Sequence, residues 1–345
     1  MSTLPLVIVN PASAGGATGR AWPSLASELR RHFGAFAVAF TERGGEATEI
    51  AEREARGGRR FIIACGGDGT ISEVVNGILR ASVGEGAGTE LGVLPSGTGG
   101  DFRRTLDVPA RAADAARSLR EGKTRSLDAG RVTYLNERGE EESRFFVNVA
   151  SFGMGGEVIR RVKSREGLPA GAARLLGGKL SFAAAALQSA LTFEKPSVRV
   201  SLDGGAAARI TVANFCVANA RYFGGGMKIA PNAKVDDGRF DVVAVGDVSA
   251  LNMLANSYRL YLGTHLGMQE VRHALARRVR AESASGEPVK LELDGELAGR
   301  LPADFEILPA ALRVRCPRHS DVQWSATGTS GADRSEPPAL AGGPL

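Results

Sequence analysis

Cysteine and histidine are scarce in this chain, and neither set is spaced for chemistry. Cys65, Cys216 and Cys316 are odd in number and far apart, which gives neither a metal-ligand spacing nor a disulfide framework. All three sit in apolar, strand-like contexts, which predicts reduced, buried thiols and a cytoplasmic protein. His32, His265, His273 and His319 form no ligand spacing, and no Ser-His-Asp arrangement accompanies them. No apolar run reaches the roughly 20 residues that span a bilayer. The nearest, "LSFAAAALQSAL", is too short and too rich in alanine. The opening "MSTLPLVIVNP" has no positive n-region and reads as a first strand, not a signal peptide. A Walker A motif is absent, which excludes an ordinary P-loop NTPase. No nucleic-acid motif is present, and contact with a membrane is expected only from the side.

What remains is the profile of a globular protein. A length of 345 residues predicts two domains, and a hydrophobic content of 43% supports a sizeable core. The net charge of +5 suits an anionic partner such as a nucleotide or a membrane surface, although an arginine-rich composition produces it equally well. Up to residue 127, strand and helix alternate: "LPLVIVN", a helix around Arg20 to Phe33, "FAVAFT", a helix around Glu46 to Arg56, "RRFIIAC", a further helix, "LGVLPSG", and a helix opened by Pro109 and ending near Gly122. That order predicts an α/β domain with a three-layer parallel sheet. From residue 128 to 317, alternating runs such as "RFFVNVASFG", "RITVANFCVANA" and "VKLELDGEL" predict a mainly antiparallel β-sandwich, with helices inserted at about Gly156 to Thr192 and Ser249 to Leu262. Residues 318–345 are rich in Ser, Gly, Ala and Pro and are expected to be a disordered tail.

Three strand ends carry glycine-rich loops. "IIACGGDGTISEVVNGIL" places Gly66, Gly67 and Gly69 around Asp68, between a buried strand and a helix. Ligands of open α/β sheets bind at the carboxyl ends of strands, and glycines let backbone N–H groups approach a phosphate at a helix N-terminus. An aspartate there would repel a bare phosphate, so the loop points to Mg-nucleotide; a tight turn with an Asp cap is the simpler alternative. "VNPASAGGATGR" and "LPSGTGGDFRR" end the first and fourth strands in the same manner, and three such loops converge on one crevice.

"NPASAGG", "GGDGTISEVVNGIL", "LPSGTGGDF", "LDAG", "VDDGRFDV" and "LDGE", in this order, resemble the diacylglycerol kinase and sphingosine kinase catalytic family, most closely its soluble bacterial lipid kinases. The resemblance spans about Leu4 to Pro317. "GGDGT" alone is shared with NAD kinases and phosphofructokinases. The resemblance implies ATP-dependent phosphorylation of a lipid hydroxyl in phospholipid metabolism, with ATP and Mg²⁺ as cofactors. It places Asn10, Pro11, Ala12, Ser13, Ala14 and Thr41 on ATP. Gly66, Gly67, Asp68, Gly69, Thr70, Ile71 and Ser72 would cradle the phosphates, with Thr98 reaching in from the fourth strand. Asp68, Asp101 and Asp128 match carboxylates around the nucleotide and its Mg-water network. Gly100 departs from the family, which usually has Asn there.

In the second domain the resemblance implies a structural Mg²⁺ or Ca²⁺ held by the Asp237 carboxylate and the carbonyls of Lys234 and Arg239. Read alone, Asp-Gly is a hairpin signal. "LELDGEL" sets Asp294 and Glu296 two apart on a strand, so both carboxylates would share one face; the resemblance makes the Glu the proton acceptor. Tyr222, Phe223 and Met227 would face acyl chains or fill a core. "VIRRVKSREG" and "RHALARRVRA" would face anionic lipid or be solvated. The expected partner is a lipid at the inner membrane face, with a homodimer left open. The rival readings are an NAD kinase-like enzyme and a lipid-binding protein with a degenerate nucleotide site.

Overall fold

The computed structural model describes residues 4–82, 88–97, 99–154 and 193–318. Four parallel strands open the fold: β1 (Leu6–Val9), β2 (Ala37–Phe40), β3 (Phe61–Gly66) and β4 (Glu90–Pro95), side by side as β4-β3-β1-β2. β1 and β3 are buried along their whole length. Crossover helices cover both faces of such a sheet, which is why "LVIV" and "FIIACG" are unbroken apolar runs. The helices are α1 (Ser13–Phe33), α2 (Glu46–Arg56), α3 (Asp68–Ser82), α4 (Asp101–Thr105) and α5 (Ala112–Glu121). Ala14, Gly15 and Gly16 take left-handed conformations that kink the first turns of α1, so its regular right-handed part begins after Gly16, near the expected start at Arg20. α5 begins three residues after Pro109, and the short α4 precedes it.

The remaining strands are β5 (Lys123–Leu135), β6 (Glu141–Phe146), β7 (Val149–Gly153), β8 (Ser197–Leu202), β9 (Ala208–Thr211), β10 (Asn214–Ala218), β11 (Phe240–Val245), β12 (Val271–Ala276), β13 (Arg278–Ser283), β14 (Lys290–Leu293) and β15 (Glu296–Cys316). They form the expected antiparallel sandwich. One layer runs β12-β11-β10-β7-β14 and the other β9-β8-β13-β15-β5-β6. Stacked pairs Phe146–Phe240 and Phe152–Phe215, with centroids 5.6 and 4.7 Å apart, help fill the space between them. α6 (Ala250–Leu262) is capped by Ser249, whose Oγ accepts the Asn252 N–H at 3.2 Å. "RHALARRVRA" is not helical, and Arg272, Arg278 and Arg280 in it are exposed. It forms β12 and β13, and the chain changes layers at Arg277. The helix expected at 156–192, "VIRRVKSREG", Thr98 and the tail beyond Arg318 lie outside the described residues.

The two halves share one sheet. β15 pairs with β14, β13 and β5, and its last residues pair in parallel with β4, Arg313 opposite Glu90 and Val314 opposite Leu91. Leu312, Val314 and Cys316 therefore belong to the amino-terminal core. The expected boundary at 127 falls within β5, and the last residues of β15 pack with the first half.

Glu292 on β14 is buried. Its Oε2 accepts from Ser151 Oγ at 3.4 Å, and its Oε1 has no hydrogen-bond partner. Cys216, Ser151 and Glu292 lie in one row across β10, β7 and β14. Burial pushes the Glu292 carboxyl from an ordinary 4.5 up to about 8. The folded state thus keeps a proton that the unfolded chain releases, so this group's contribution to stability falls as pH rises across that window. Glu292→Gln is expected to flatten the decline, as read from urea midpoints at pH 5 and pH 8. An unchanged slope would place the ionised form in the native protein.

Candidate active site

The carboxyl ends of β1, β3 and β4 meet at one edge. Leaving β1, Asn10 donates its N–H to Cys65 O at 3.1 Å and its Nδ2 to Thr70 Oγ1 at 3.2 Å, while its Oδ1 accepts the Ala12 N–H. Ser13 Oγ lies 3.3 Å from the same Thr70 hydroxyl. Pro11 packs on Gly19, where an added Cβ would sit 3.1 Å from Pro11 Cβ. Thr41, buried at the end of β2, is fixed by its N–H to Val9 O at 2.9 Å.

In the loop between β3 and α3, the first helical hydrogen bond runs from Ile71 N–H to Gly67 O at 3.1 Å. The N–H groups of Asp68, Gly69 and Thr70 therefore have no acceptor within the helix, and α3 presents its positive end here. Gly97, after β4, touches this loop backbone to backbone: a Cβ on Gly97 would lie 2.7 Å from Gly67 Cα. A cleft opens between the loops, lined by Gly66, Gly67, Asp68, Gly97, Arg103 and Arg104, with Ile71 at its base.

Asp68 does more than face this cleft. Its Oδ2 accepts the N–H groups of Gly100 (2.7 Å) and Asp101 (3.2 Å), and its Oδ1 accepts that of Phe102 at 3.2 Å. The carboxylate caps α4 and latches the third glycine loop onto the second. Its negative charge is thereby offset inside the protein, which resolves the apparent conflict of an aspartate in a phosphate-type loop. Asp101 reaches the other way. Its Oδ2 accepts the Gly225 N–H at 2.8 Å, and its Oδ1 accepts from Arg104 Nη1 at 2.9 Å. Burial, and then the neighbouring Asp68 charge, push the Asp101 carboxyl above its usual range against the pull of these donors. "RYFGGGMK" is thus tied to the glycine loops by a carboxylate–backbone bond. Within it Phe223 and Met227 pair as a short antiparallel bridge, with Phe223 packed on a buried apolar cluster.

Asp294 and Glu296 do not share the face of a strand. Asp294 (φ +50°) and Gly295 (φ +86°) are both left-handed and form a two-residue hairpin turn between β14 and β15, with Leu293 opposite Glu296. The turn sends the two carboxylates to different tasks. Asp294 is buried, and its oxygens accept the N–H groups of Val147 (3.1 Å), Asn148 (2.8 Å) and Val149 (3.2 Å). Ser72 adds a side-chain hydrogen bond, and burial still pushes the carboxyl up to about 6. Val147 and Asn148 are where "RFFVNVASFG" breaks into β6 and β7, so Asp294 holds that break. Glu296 is half-buried and lies over the second glycine loop, where a Cβ on Gly69 would be 2.6 Å from its Oε1. Arg144 Nη2 stands 4.0 Å from its other oxygen. The carboxylate of the second half therefore meets the phosphate-type loop of the first.

Asp128 reaches toward the second half of the chain. It is buried, with Oδ1 accepting the Ala310 N–H at 2.8 Å and Oδ2 the Gly238 N–H at 2.7 Å. These bonds tie "LDAG" to "VDDG", where Asp237 Oδ1 accepts the Arg239 N–H at 3.1 Å. Burial pushes Asp237 up to about 6, with Asp241 and Asp128 adding repulsion and Lys234 opposing it. Among the described residues no three His, Cys, Asp or Glu side chains are grouped to hold a metal.

Sequence reasoning missed Arg103, Arg104 and Asn76. The two arginines follow Asp101 after a single residue, Phe102, and a basic pair after a glycine-Asp loop was the available signal. Asn76, inside "SEVVNGIL", is buried on α3; it donates Nδ2 to Phe145 O and accepts Phe145 N–H, both at 2.9 Å, pinning α3 to β6. A polar residue on the apolar face of a predicted helix was its signal.

Residues 5–132 match the family described as the diacylglycerol kinase catalytic domain, and residues 156–316 match the YegS C-terminal NAD kinase beta sandwich-like domain. The chain is 29% identical over 280 residues to a diacylglycerol kinase of Bacillus subtilis (strain 168), covering 81% of this chain and 85% of that one. It is 29% identical over 320 residues to a diacylglycerol kinase of Mycobacterium tuberculosis (strain ATCC 25618 / H37Rv), covering 90% and 94%. A crystal structure of a diacylglycerol kinase from Bacillus anthracis str. Sterne aligns with a TM-score of 0.66 at 22% identity, over 91% of this chain and 97% of that one. At that identity the likeness is one of fold.

Proposed function

Because the chain belongs to the diacylglycerol kinase family and is a lipid kinase, we propose that it transfers the γ-phosphoryl group of ATP to the hydroxyl of a diacylglycerol or a related lipid. The observation that carries this reading is the Glu296 carboxylate set against Gly69 of the phosphate-type loop. A lipid alcohol is a poor nucleophile and needs a base beside the phosphoryl group. Glu296 takes the hydroxyl proton, the alcohol oxygen bonds to the γ-phosphorus, and the bond from that phosphorus to the β–γ bridging oxygen breaks, leaving the electron pair on ADP.

The glycine loops suit a triphosphate. They approach one another backbone to backbone, and the free end of α3 and two guanidinium groups face the cleft. Asp68 positions the third loop, and Asn10, Ser13 and Thr70 position the first against the second. Mg²⁺ brought in with ATP offsets charge on the phosphoryl group. The acceptor is a membrane lipid, so the enzyme works at a membrane surface; among the described residues no helix is long and apolar enough to cross it. Labelled ATP offered with diacylglycerol, sphingoid base, ceramide, polyprenol, phosphatidylglycerol and NAD tests the reading. Transfer to a lipid is expected, and transfer to NAD alone would overturn it.

The same reading gives domain two a structural divalent ion. Asp241 and Asp128 both repel the Asp237 carboxylate, and a hard cation on Asp237 with the carbonyls of Lys234 and Arg239 would relieve that repulsion. Chelator is expected to lower the Tm of the wild type by several degrees and to leave that of Asp237→Ala unmoved. A wild-type Tm indifferent to chelator would make "VDDG" a turn and nothing more.

A further inference from the structure

Gly100 and Arg103 occupy the site as one unit. Gly100 has φ +67° and caps α4 without a side chain of its own. A Cβ built there would stand 3.2 Å from Arg103 Nε and 3.9 Å from its Nη2, so the arginine fills the room that a side chain at position 100 would take. Among the described residues the Arg103 guanidinium is fixed at one corner, by Nη1 donating to Val108 O at 2.8 Å. It lines the cleft beside Gly67, Asp68 and Gly97. Burial first, and then the neighbouring Arg104 charge, weaken its hold on the proton, against the pull of the Asp68 and Asp101 charges, so the cation sits in a partly dehydrated place. Arg104 is different: its Nη1 is taken up by Gly99 O and Asp101, and it serves the loop.

We infer that the Nε–Nη2 edge of Arg103 is a phosphate clamp of the nucleotide site, made possible by glycine at position 100. The edge carries two parallel N–H donors, the geometry that phosphate oxygens accept bidentately. Anchoring through Nη1 leaves that edge beside Gly100, which lines the same cleft, and reduces the rotamer freedom lost on binding. The inference rests on the nucleotide reading above, and it assigns the phosphate contact to a residue that the shared motifs leave out.

Affinity for Mg-ATP and for tripolyphosphate, measured by calorimetry on the full chain, tests it. Arg103→Ala is expected to weaken both by about tenfold to a hundredfold, the cost of a charged hydrogen-bonded contact. Arg103→Gln, which can still reach Val108 O, should lose nearly as much, and Arg103→Lys should recover part. Gly100→Asn should displace the guanidinium and weaken ATP binding, whereas Gly100→Asn added to Arg103→Ala should cost little more than Arg103→Ala alone, because the space is by then empty. Unchanged ATP affinity in Arg103→Gln with the wild-type Tm overturns the clamp while the nucleotide reading stands. A wild type that binds neither ATP nor tripolyphosphate overturns both.

Discussion

Glu296→Gln is expected to lower kcat by about 10²–10⁴-fold, the usual cost of losing a general base, with the Tm unchanged. The side chain is half-buried, and among the described residues its ion-pair neighbour is Arg144 at 4.0 Å, so little of the described fold depends on its charge. The amide keeps the size and the contact over Gly69 but cannot take a proton. From chain order alone, Glu296 belongs to the second half, away from the phosphate loops. The hairpin instead brings its Oε1 within 2.6 Å of the position of a Gly69 Cβ. A carboxylate this close to the phosphate loop repels the nucleotide somewhat, so ATP affinity should hold or rise in the variant while turnover collapses. Steady-state kinetics with saturating lipid, paired with ATP titration, separate the two quantities. A normal kcat would place the base elsewhere.

The fold was largely legible because its signals are local. "LVIV" and "FIIACG" are unbroken apolar runs that only a sheet covered on both faces explains, and the alternating runs of the second half suit a sandwich. The glycine loops were legible for the same reason, since each is a strand end, a turn and a helix start within a dozen residues. The missed features depend on contacts between distant residues. Asp68, Asp101, Asp128 and Asp294 share a task that no spacing reveals: each accepts backbone N–H groups from 33 to 182 residues away along the chain, apart from the bond of Asp68 to Gly100 at 32. The resemblance sets Asp68, Asp101 and Asp128 around the nucleotide and its Mg-water network and Asp294 beside the proton acceptor. In the structure all four also join loops. The closing run of β15 back beside β4 was hidden likewise, because parallel pairing of Val314 with Leu91 leaves no mark in either segment.

Asp294→Ala should be the most destabilising change in the site, by about 3–5 kcal/mol, the cost of stripping the partners from buried polar groups. Three N–H groups at the break between β6 and β7 lose their acceptors at once. Asp294→Asn should also destabilise, since its amide turns an N–H₂ toward donors in place of one oxygen. The left-handed turn itself tolerates Asn, so the loss would come from the hydrogen bonds and not from backbone strain. The prediction separates the neighbouring acids by kind of damage. Asp294 variants lose urea midpoint, and the molecules that remain folded turn over at a rate reduced far less than in Glu296→Gln. Glu296→Gln keeps its midpoint and loses turnover. If Asp294→Asn keeps the wild-type midpoint and is inactive while Glu296→Gln works, the proton goes to Asp294 and the three backbone donors serve to hold a base. The buried position of Asp294 argues against that outcome. A base as buried as Asp294 would have to leave its three N–H partners to reach a lipid hydroxyl, whereas Glu296 is half-buried over Gly69.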